Sequence, residues 1–194
     1  MNDGNEDIHI SSDASKQTIT QNPLWLSGRL DYVEGDLYLD AGRGDHKLYI
    51  SDEVTDSGKG SVEINDGSIS NLSPGTIHYS RDETEGSFVR GVSIWLGSYN
   101  DDVRVTGTQR KNGIRTVTSL HTGDGDDNVV ISLNTDDGFF VLNTAEGDDI
   151  VTATNSTLSL IIFGGEGSDS IIGGSGSDII IGDCGRVAYY HSEF

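Results

Sequence analysis

Two consecutive nine-residue segments near the C-terminus combine glycine and aspartate in a pattern suited to binding a cation. They are Gly164–Ile172 and Gly173–Ile181, and both fit G-G-x-G-x-D-x-U-x, where U is apolar. Glycine lets a turn adopt positive φ and aim its carbonyl oxygens inward, and the aspartate adds a carboxylate. Calcium takes about six to eight oxygen ligands of these kinds. One turn supplies only part of that set, so a turn stacked on it must supply the rest.

Related segments recur upstream of this tandem pair. Thr122–Val130 lacks only the first glycine, and Thr144–Val151 keeps the third glycine and the aspartate. Ala41–Tyr49 and Leu96–Val103 are more degenerate, and the first of them has His46 where aspartate is expected. Glycine and aspartate are common in ordinary turns. We therefore expect calcium at the first two segments and plain turns at the last two.

The turns alternate with short runs rich in Val, Ile, Tyr and Thr, which predict strands. Turn spacings from Gly97 to Gly123, Ala145 and Gly165 are 26, 22 and 20 residues. Repeats of about 20–50 residues indicate stacked units, and no segment has the apolar period of a long helix. The pattern predicts an all-β parallel β-solenoid. The opposite turns are predicted at residues 108–114, 134–137, 155–157 and 173–178, with one further coil through 60–64 and 76–80.

The nonapeptides resemble the RTX, or hemolysin-type calcium-binding, repeats, closely over residues 164–181 and partially over about 96–185. The resemblance implies a right-handed parallel β-roll that folds on binding calcium outside the cell. It also implies that sixth-position aspartates and turn carbonyls are the ligands. The implied set is Asp127, Asp149, Asp169 and Asp178, with backbone oxygens of Gly123, Gly125, Gly147, Gly165, Gly167, Gly174 and Gly176. The family's 18-residue coil is kept only at Gly164–Ile181, so the upstream coils are expected to form a wider β-helix.

The segment at the end of the tandem pair, Ile181–Arg186, is similar to the C-terminal motif of such repeat arrays in very large surface proteins. Gly182 lies 18 residues after Gly164. Asp183 is therefore expected to complete the last calcium site against Asp169.

The charge balance favours bound cations and excludes several partners. Lys and Arg number 12 against 32 Asp and Glu, for a net charge of -20. A compact fold with that charge repels itself unless its carboxylates are neutralised. There is no basic footprint for nucleic acid and no apolar run long enough for a membrane span. The single cysteine, Cys184, provides no disulfide framework.

We predict one β-solenoid domain over residues 24–194, most RTX-like at 122–185, after a polar lead-in at 1–23. Regular structure is expected to begin near Leu24–Leu26. Residues 1–10 lack the basic start and apolar run of a cleavable secretory signal. Either export uses another signal, or the chain is part of a longer protein.

Several other residues could have a chemical role, and for most of them we favour a structural interpretation. The pair Asp126 and Asp127 resembles glycosidase carboxylates, but it recurs with the repeat at residues 148 and 149, which favours a metal role over catalysis. The five histidines include the scattered His46, His78 and His121, without zinc spacing. Further candidates are Trp25 and Trp95, as core or sugar-stacking residues, and Asn71 and Asn155, as glycosylation acceptors in a eukaryotic source.

The preferred functional hypothesis is a non-enzymatic, calcium-stiffened module of an extracellular filament, matrix protein or cell-surface adhesin. Open strand edges at the solenoid ends favour end-to-end self-association or continuation into more chain. One alternative is the calcium-folding tail of a secreted enzyme or toxin. Another is a carbohydrate-active β-helix, against which the low aromatic content of 7% counts.

Overall fold

The computed structural model describes residues 4–14, 27–42, 44–79, 87–111 and 114–183. Within those ranges the chain forms 17 strands and no helix, which confirms the predicted all-β class. None of the described segments is a helix with the length and apolarity needed to cross a membrane.

Seven strands form one fully parallel sheet, sheet A, which begins with the N-terminal strand and ends with the C-terminal one. Each neighbouring pair in it is parallel. In spatial order its strands are β1 (Asp7–Ile10), β3 (Asp45–Ser51), β7 (Ser87–Trp95), β11 (Val117–His121), β13 (Phe139–Asn143), β15 (Ile161–Phe163) and β17 (Ile179–Ile181).

Eight strands form a second, mostly parallel sheet, sheet B. Antiparallel pairing occurs in this sheet only around β5 (Ser68–Ser70), which pairs with β4 (Val62–Ile64) and β6 (Ile77–Tyr79). In spatial order the strands are β16 (Ser170–Ile172), β14 (Ile150–Thr152), β12 (Asn128–Ile131), β8 (Asp102–Val105), β4 (Val62–Ile64), β5 (Ser68–Ser70), β6 (Ile77–Tyr79) and β2 (Leu37–Leu39). A separate two-stranded hairpin joins β9 (Arg110–Lys111) to β10 (Ile114–Arg115).

From β7 onward the main strands alternate between the two sheets along the chain. We call the turns that leave sheet A for sheet B the A-to-B turns: residues 52–61, 96–101, 122–127, 144–149 and 164–169. The turns in the other direction are the B-to-A turns. Hydrogen bonds from a backbone N–H of one A-to-B turn to an aspartate side chain of the next join residues 26, 22 and 20 apart. These offsets confirm the spacing predicted from the sequence, and residues 134–137, 155–157 and 173–178 lie in B-to-A turns as predicted.

The core lies between the sheets because alternate side chains of each strand point inward. In β11 the burial alternates residue by residue, and β12 and β13 show the same period. Leu48, Ile94, Leu120 and Ile162 of sheet A are 0% exposed, as is Val129 of sheet B. Burial of such side chains stabilises by roughly 1.5–3 kcal/mol each.

One sequence prediction about the N-terminal half is wrong. Residues 7–10, assigned to a lead-in, form β1 and pair with β3, because Ile8 and Ile10 present the apolar alternation of a sheet edge. The described residues of the segment 41–46 connect β2 of sheet B to β3 of sheet A, and the last two of them begin β3, so this connection is a B-to-A turn.

The further coil predicted through residues 60–64 and 76–80 is only partly correct. Residues 62–64 form β4, which pairs with β8 as a coil would, but the chain then turns back through β5 in an antiparallel meander. The turn Asn65–Ser68 is held by hydrogen bonds from the backbone of Gly67 and Ser68 to Asn65 Oδ1. Trp25, Cys184 and the predicted start near residues 24–26 lie outside the described residues.

Candidate cation site at the A-to-B turns

Four A-to-B turns stack so closely that their backbone conformation is tightly constrained. These are the six-residue turns 96–101, 122–127, 144–149 and 164–169. In the last three of these turns, both the second and the fourth residue have positive φ. A Cβ at Gly123 would collide with the carbonyl oxygen of Gly97, and one at Gly165 with that of Ala145. Glycine is therefore favoured at this position. Ala145 occupies it in the intervening turn with φ of 71°, a conformation that costs an L-residue about 1 kcal/mol.

The sixth residue of each turn forms an inner column of carboxylates. The column consists of Asp101, Asp127, Asp149 and Asp169. One carboxylate oxygen, Oδ1, accepts a backbone N–H from the preceding turn: Asp101 N–H donates to Asp127 over 2.8 Å and Asp127 N–H to Asp149 over 2.9 Å. Asp149 N–H donates to Asp169 over 3.2 Å. These bonds satisfy backbone donors that sheet pairing leaves free at the corner.

The fifth residue of each turn forms an outer ladder that runs in the opposite sense. Asp126 N–H donates to Asn100 over 3.1 Å, Asp148 N–H to Asp126 over 2.9 Å, and Ser168 N–H to Asp148 over 2.8 Å. These side chains are exposed on this edge. Asp126 thus belongs to the outer ladder and Asp127 to the inner column. The same arrangement recurs at residues 148 and 149, which fits a repeated structural role.

The second carboxylate oxygen of every inner-column residue is buried without a hydrogen-bond partner. Asp127 and Asp149 are each 1% exposed. The pKa of Asp127 is raised to about 7, mainly by burial and also by the carboxylates of Asp101 and Asp149, against the lowering effect of the Thr122 hydroxyl and the Asp101 N–H. Burial likewise raises the pKa of Asp101 to about 6 and that of Asp149 above its ordinary value. Four Oδ2 atoms therefore lack a positive partner.

Lys59 lies at the N-terminal end of this column. Its backbone N–H donates to Asp101 Oδ1, as the aspartate N–H groups do further along. Its ammonium is 2.9 Å from Asp52 Oδ2 and 3.1 Å from Asp31 Oδ1, and only 12% of the side chain is exposed. Burial lowers the pKa of Lys59, but the two carboxylates raise it more. A cation from the chain itself thus neutralises this end. Sequence motifs could not reveal this contact because the three residues are far apart in the chain.

The predicted ligands at the second perfect nonapeptide have different surroundings. Asp178 lies in a B-to-A turn, where its Oδ1 accepts the Leu160 N–H over 2.9 Å and its Oδ2 the Gly174 N–H over 2.8 Å. Both oxygens are thus used by the backbone. Gly174 and Gly176 are also absent from the described glycines with positive φ. The match to the motif is equal in the two copies, yet their turns differ.

Asp183 follows β17 and is exposed. The carbonyl of the preceding Gly182 accepts the Gly165 N–H over 3.0 Å, which places the start of this segment over the last A-to-B turn. A Cβ at Gly164 would collide with both that carbonyl oxygen and Asp169 Oδ2. These two oxygens therefore approach the same space beside Gly164.

The remaining candidates hold structural positions. Buried His46 is the second residue of β3, and its Nδ1 is 2.8 Å from Glu6 Oε2. His78 stacks on Tyr38 at 4.6 Å. Asn71 is exposed, but its amide donates to the Ser61 carbonyl over 2.8 Å.

Asn155 is exposed in a turn without a described side-chain bond. Trp95 has a ring on each side, with Tyr49 at 6.2 Å and His121 at 5.3 Å. Both of its faces are therefore covered, which leaves no platform for a sugar.

Within the described residues, no three His, Cys, Asp or Glu side chains converge as a metal-binding group. Any metal at the inner column must therefore take most of its ligands from backbone carbonyls of the turns. Comparison with known proteins found no matching family model, curated protein or solved structure.

Proposed function

We propose that the chain is a calcium-stabilised β-solenoid that serves as a non-catalytic structural module outside the cell. The observation that carries this proposal is the set of four buried Oδ2 atoms without partners in the stacked A-to-B turns. At the end of the same edge, the ammonium of Lys59 meets carboxylate oxygens of Asp52 and Asp31. The edge therefore already accommodates one cation, and the rest of the column offers oxygen atoms for others.

Calcium suits this edge better than other common metals. The donors are carboxylate and carbonyl oxygens only, which exclude the nitrogen and sulfur ligands preferred by zinc. Calcium accepts irregular sets with several carbonyls, whereas magnesium demands near-octahedral geometry and retains water. The residues present fit calcium, with Asp101, Asp127, Asp149 and Asp169 supplying carboxylates. Bound calcium would supply the positive charge that these buried carboxylates lack.

The solenoid interpretation is supported by the alternation of strands between two parallel stacks and by the regular offsets between turns. The RTX resemblance implies right-handed coils. In a stack of this kind each coil contacts only its neighbours, so the stability of the stack depends on the interfaces between adjacent coils. Binding between stacked turns couples metal affinity to folding. An extracellular site is consistent with this chemistry, since calcium modules outside the cell work at about 10⁻⁴–10⁻³ M.

Self-association end to end is part of the proposal. Among the described residues, sheets A and B end at β17 and β16, and edges of this kind are able to pair with another strand. The final strands also leave Ile172, Ile179 and Ile180 between 37% and 51% exposed. A second copy or a continuing coil would cover them.

Isothermal titration calorimetry with calcium chloride tests the binding step. We expect saturable binding, with magnesium chloride binding at least about tenfold more weakly because of its stricter geometry. Asp127→Asn should weaken calcium binding, while Asp45→Asn, which removes the same charge from an exposed position at the start of β3, should leave it unchanged. No calcium binding, or equal losses in the two variants, would contradict the proposal.

A further inference from the structure

A groove of about 450 Å³ lies on the outer face of sheet A beside the A-to-B turns. Its floor and walls come from three neighbouring strands and two turns, away from the inner carboxylate column. The lining residues used below are His121, Asn143, Phe163, Glu146 and Glu166.

The groove interrupts a row of rings. Trp95 and His121 stack with centroids 5.3 Å apart and planes 6° apart. In the next strand the same row holds Asn143, and in the one after it Phe163. Adjacent strands are about 4.8 Å apart, so His121 and Phe163 are separated by about 10 Å. Asn143 is shorter than either ring, which leaves a slot for one planar group above it.

Two carboxylates border this slot. Glu146 and Glu166 are bridged neighbours at the third position of successive turns, and both are exposed. The chain's net charge of -20 attracts cations to this edge. A ligand that is both planar and positively charged satisfies the rings and the carboxylates together.

The same face already holds contacts between cations and rings. Arg115 Cζ lies 4.3 Å from the centroid of the Phe139 ring, on the strand that carries Asn143. Lys47 Nζ lies 4.6 Å from the Tyr49 centroid. A guanidinium group is planar, so it stacks on rings and also binds a carboxylate through two parallel N–H bonds. The lysine ammonium is a point charge and does not form such paired bonds.

We propose that this groove binds an arginine side chain of a partner protein. The guanidinium plane lies between His121 and Phe163 and donates hydrogen bonds to Glu146 and Glu166. The side chain of Asn143 forms the floor. No residue of the groove belongs to the inner column, but Glu146 and Glu166 lie in A-to-B turns that calcium stabilises under the proposed function. The inference rests on that function for the order of the groove, so the titration is made in saturating calcium. Calcium titration of the protein without peptide distinguishes failure of the proposed function from failure of this inference.

Isothermal titration with two short peptides, identical except for arginine or lysine at the central position, tests this inference. We expect the arginine peptide to bind at least about tenfold more tightly, because only guanidinium combines stacking with paired hydrogen bonds. Two variants should each reduce its affinity about tenfold: Asn143→Phe, which fills the slot, and Glu166→Gln, which removes an exposed charge without a structural bond among the described contacts.

The control is Glu63→Gln, because Glu63 is exposed on sheet B and its loss changes the net charge equally. It should leave arginine-peptide binding unchanged. Equal affinity for the two peptides, or an equal loss in the control, would show diffuse charge attraction and overturn the proposal. Absence of binding by the arginine peptide would overturn it as well. Circular dichroism of each variant establishes that the fold is retained.

Discussion

Lys59 is the residue that best shows the need for positive charge at the A-to-B turns. Its ammonium is nearly buried between Asp52 and Asp31, and its backbone N–H continues the ladder of the inner column. Without it, Asp52, which is 0% exposed, would retain an uncompensated charge.

We predict that Lys59→Met destabilises the protein by about 3–5 kcal/mol, as breakage of buried ion pairs does. The methionine keeps most of the apolar stem but removes the charge. Arg29→Met is the matched control, since Arg29 forms its ion pair with Asp56 at the surface, where such pairs contribute little. Urea unfolding in saturating calcium gives both values. Similar changes in the two variants would show that the Lys59 charge has no special role.

Ala145 is the residue-scale exception to the glycine rule of these turns. It has φ of 71°, whereas the equivalent Gly123 and Gly165 have φ of 95° and 112°. We predict that Ala145→Gly stabilises the protein by about 1 kcal/mol, by relieving the left-handed conformation. Gly165→Ala should destabilise it by about 2–3 kcal/mol through strain and the collision with the Ala145 carbonyl. Chemical unfolding measures both, and a loss of stability in Ala145→Gly would show that the turn is not strained there.

At the scale of the elements, the column of turns makes stability depend on pH when calcium is absent. Asp101 and Asp127 have pKa values of about 6 and about 7 in the folded protein, against about 3.9 in an unfolded chain. Between these values the folded state binds more protons than the unfolded state, so stability falls as pH rises.

With a chelator present, we therefore expect the melting temperature to fall as pH rises from about 5 to about 8. Asp127→Asn should flatten this dependence because it removes the carboxylate with the higher pKa. Asp45→Asn should not, although general charge repulsion changes equally. Identical slopes in the wild-type protein and Asp127→Asn would contradict the assigned burial of this carboxylate.

Much of the C-terminal architecture was predictable from the sequence because each coil there repeats the same local order of strand and turn. Spacing alone placed the A-to-B turns from residue 97 onward, and alternation placed the strands. The N-terminal coil at Gly4–Ile10 was missed, although Ile8 and Ile10 after a Gly-Asn pair carry a weak form of the same signal. The antiparallel meander through β5 was missed as well, since Asn65 and Gly67 indicate a turn without indicating which strand the chain pairs with next.

The site was only partly predictable. The motif identified Asp127, Asp149 and Asp169, but it ranked Asp178 with them and Asp101 below them. Whether the second carboxylate oxygen is satisfied depends on which N–H groups the stacked turn presents, and the local sequence does not encode that. Asp178 receives two such donors, whereas Asp101 receives one.

At the scale of the whole molecule, the two ends of the column of A-to-B turns differ. Lys59 neutralises carboxylates at the N-terminal end. In the described ion pairs, no lysine or arginine contacts a carboxylate of the inner column. Removal of metal should therefore leave the N-terminal coils unchanged and destabilise the coils from residue 96 onward. Calcium would then control the stability of this C-terminal part of the solenoid.

Hydrogen exchange measured by mass spectrometry, with calcium and with a chelator, tests the central claim most directly. We expect peptides covering residues 117–172 to lose protection when calcium is removed, while peptides covering β3 and β4 near Lys59 change little. Equal protection of residues 117–172 in the two conditions would contradict calcium binding between the stacked turns.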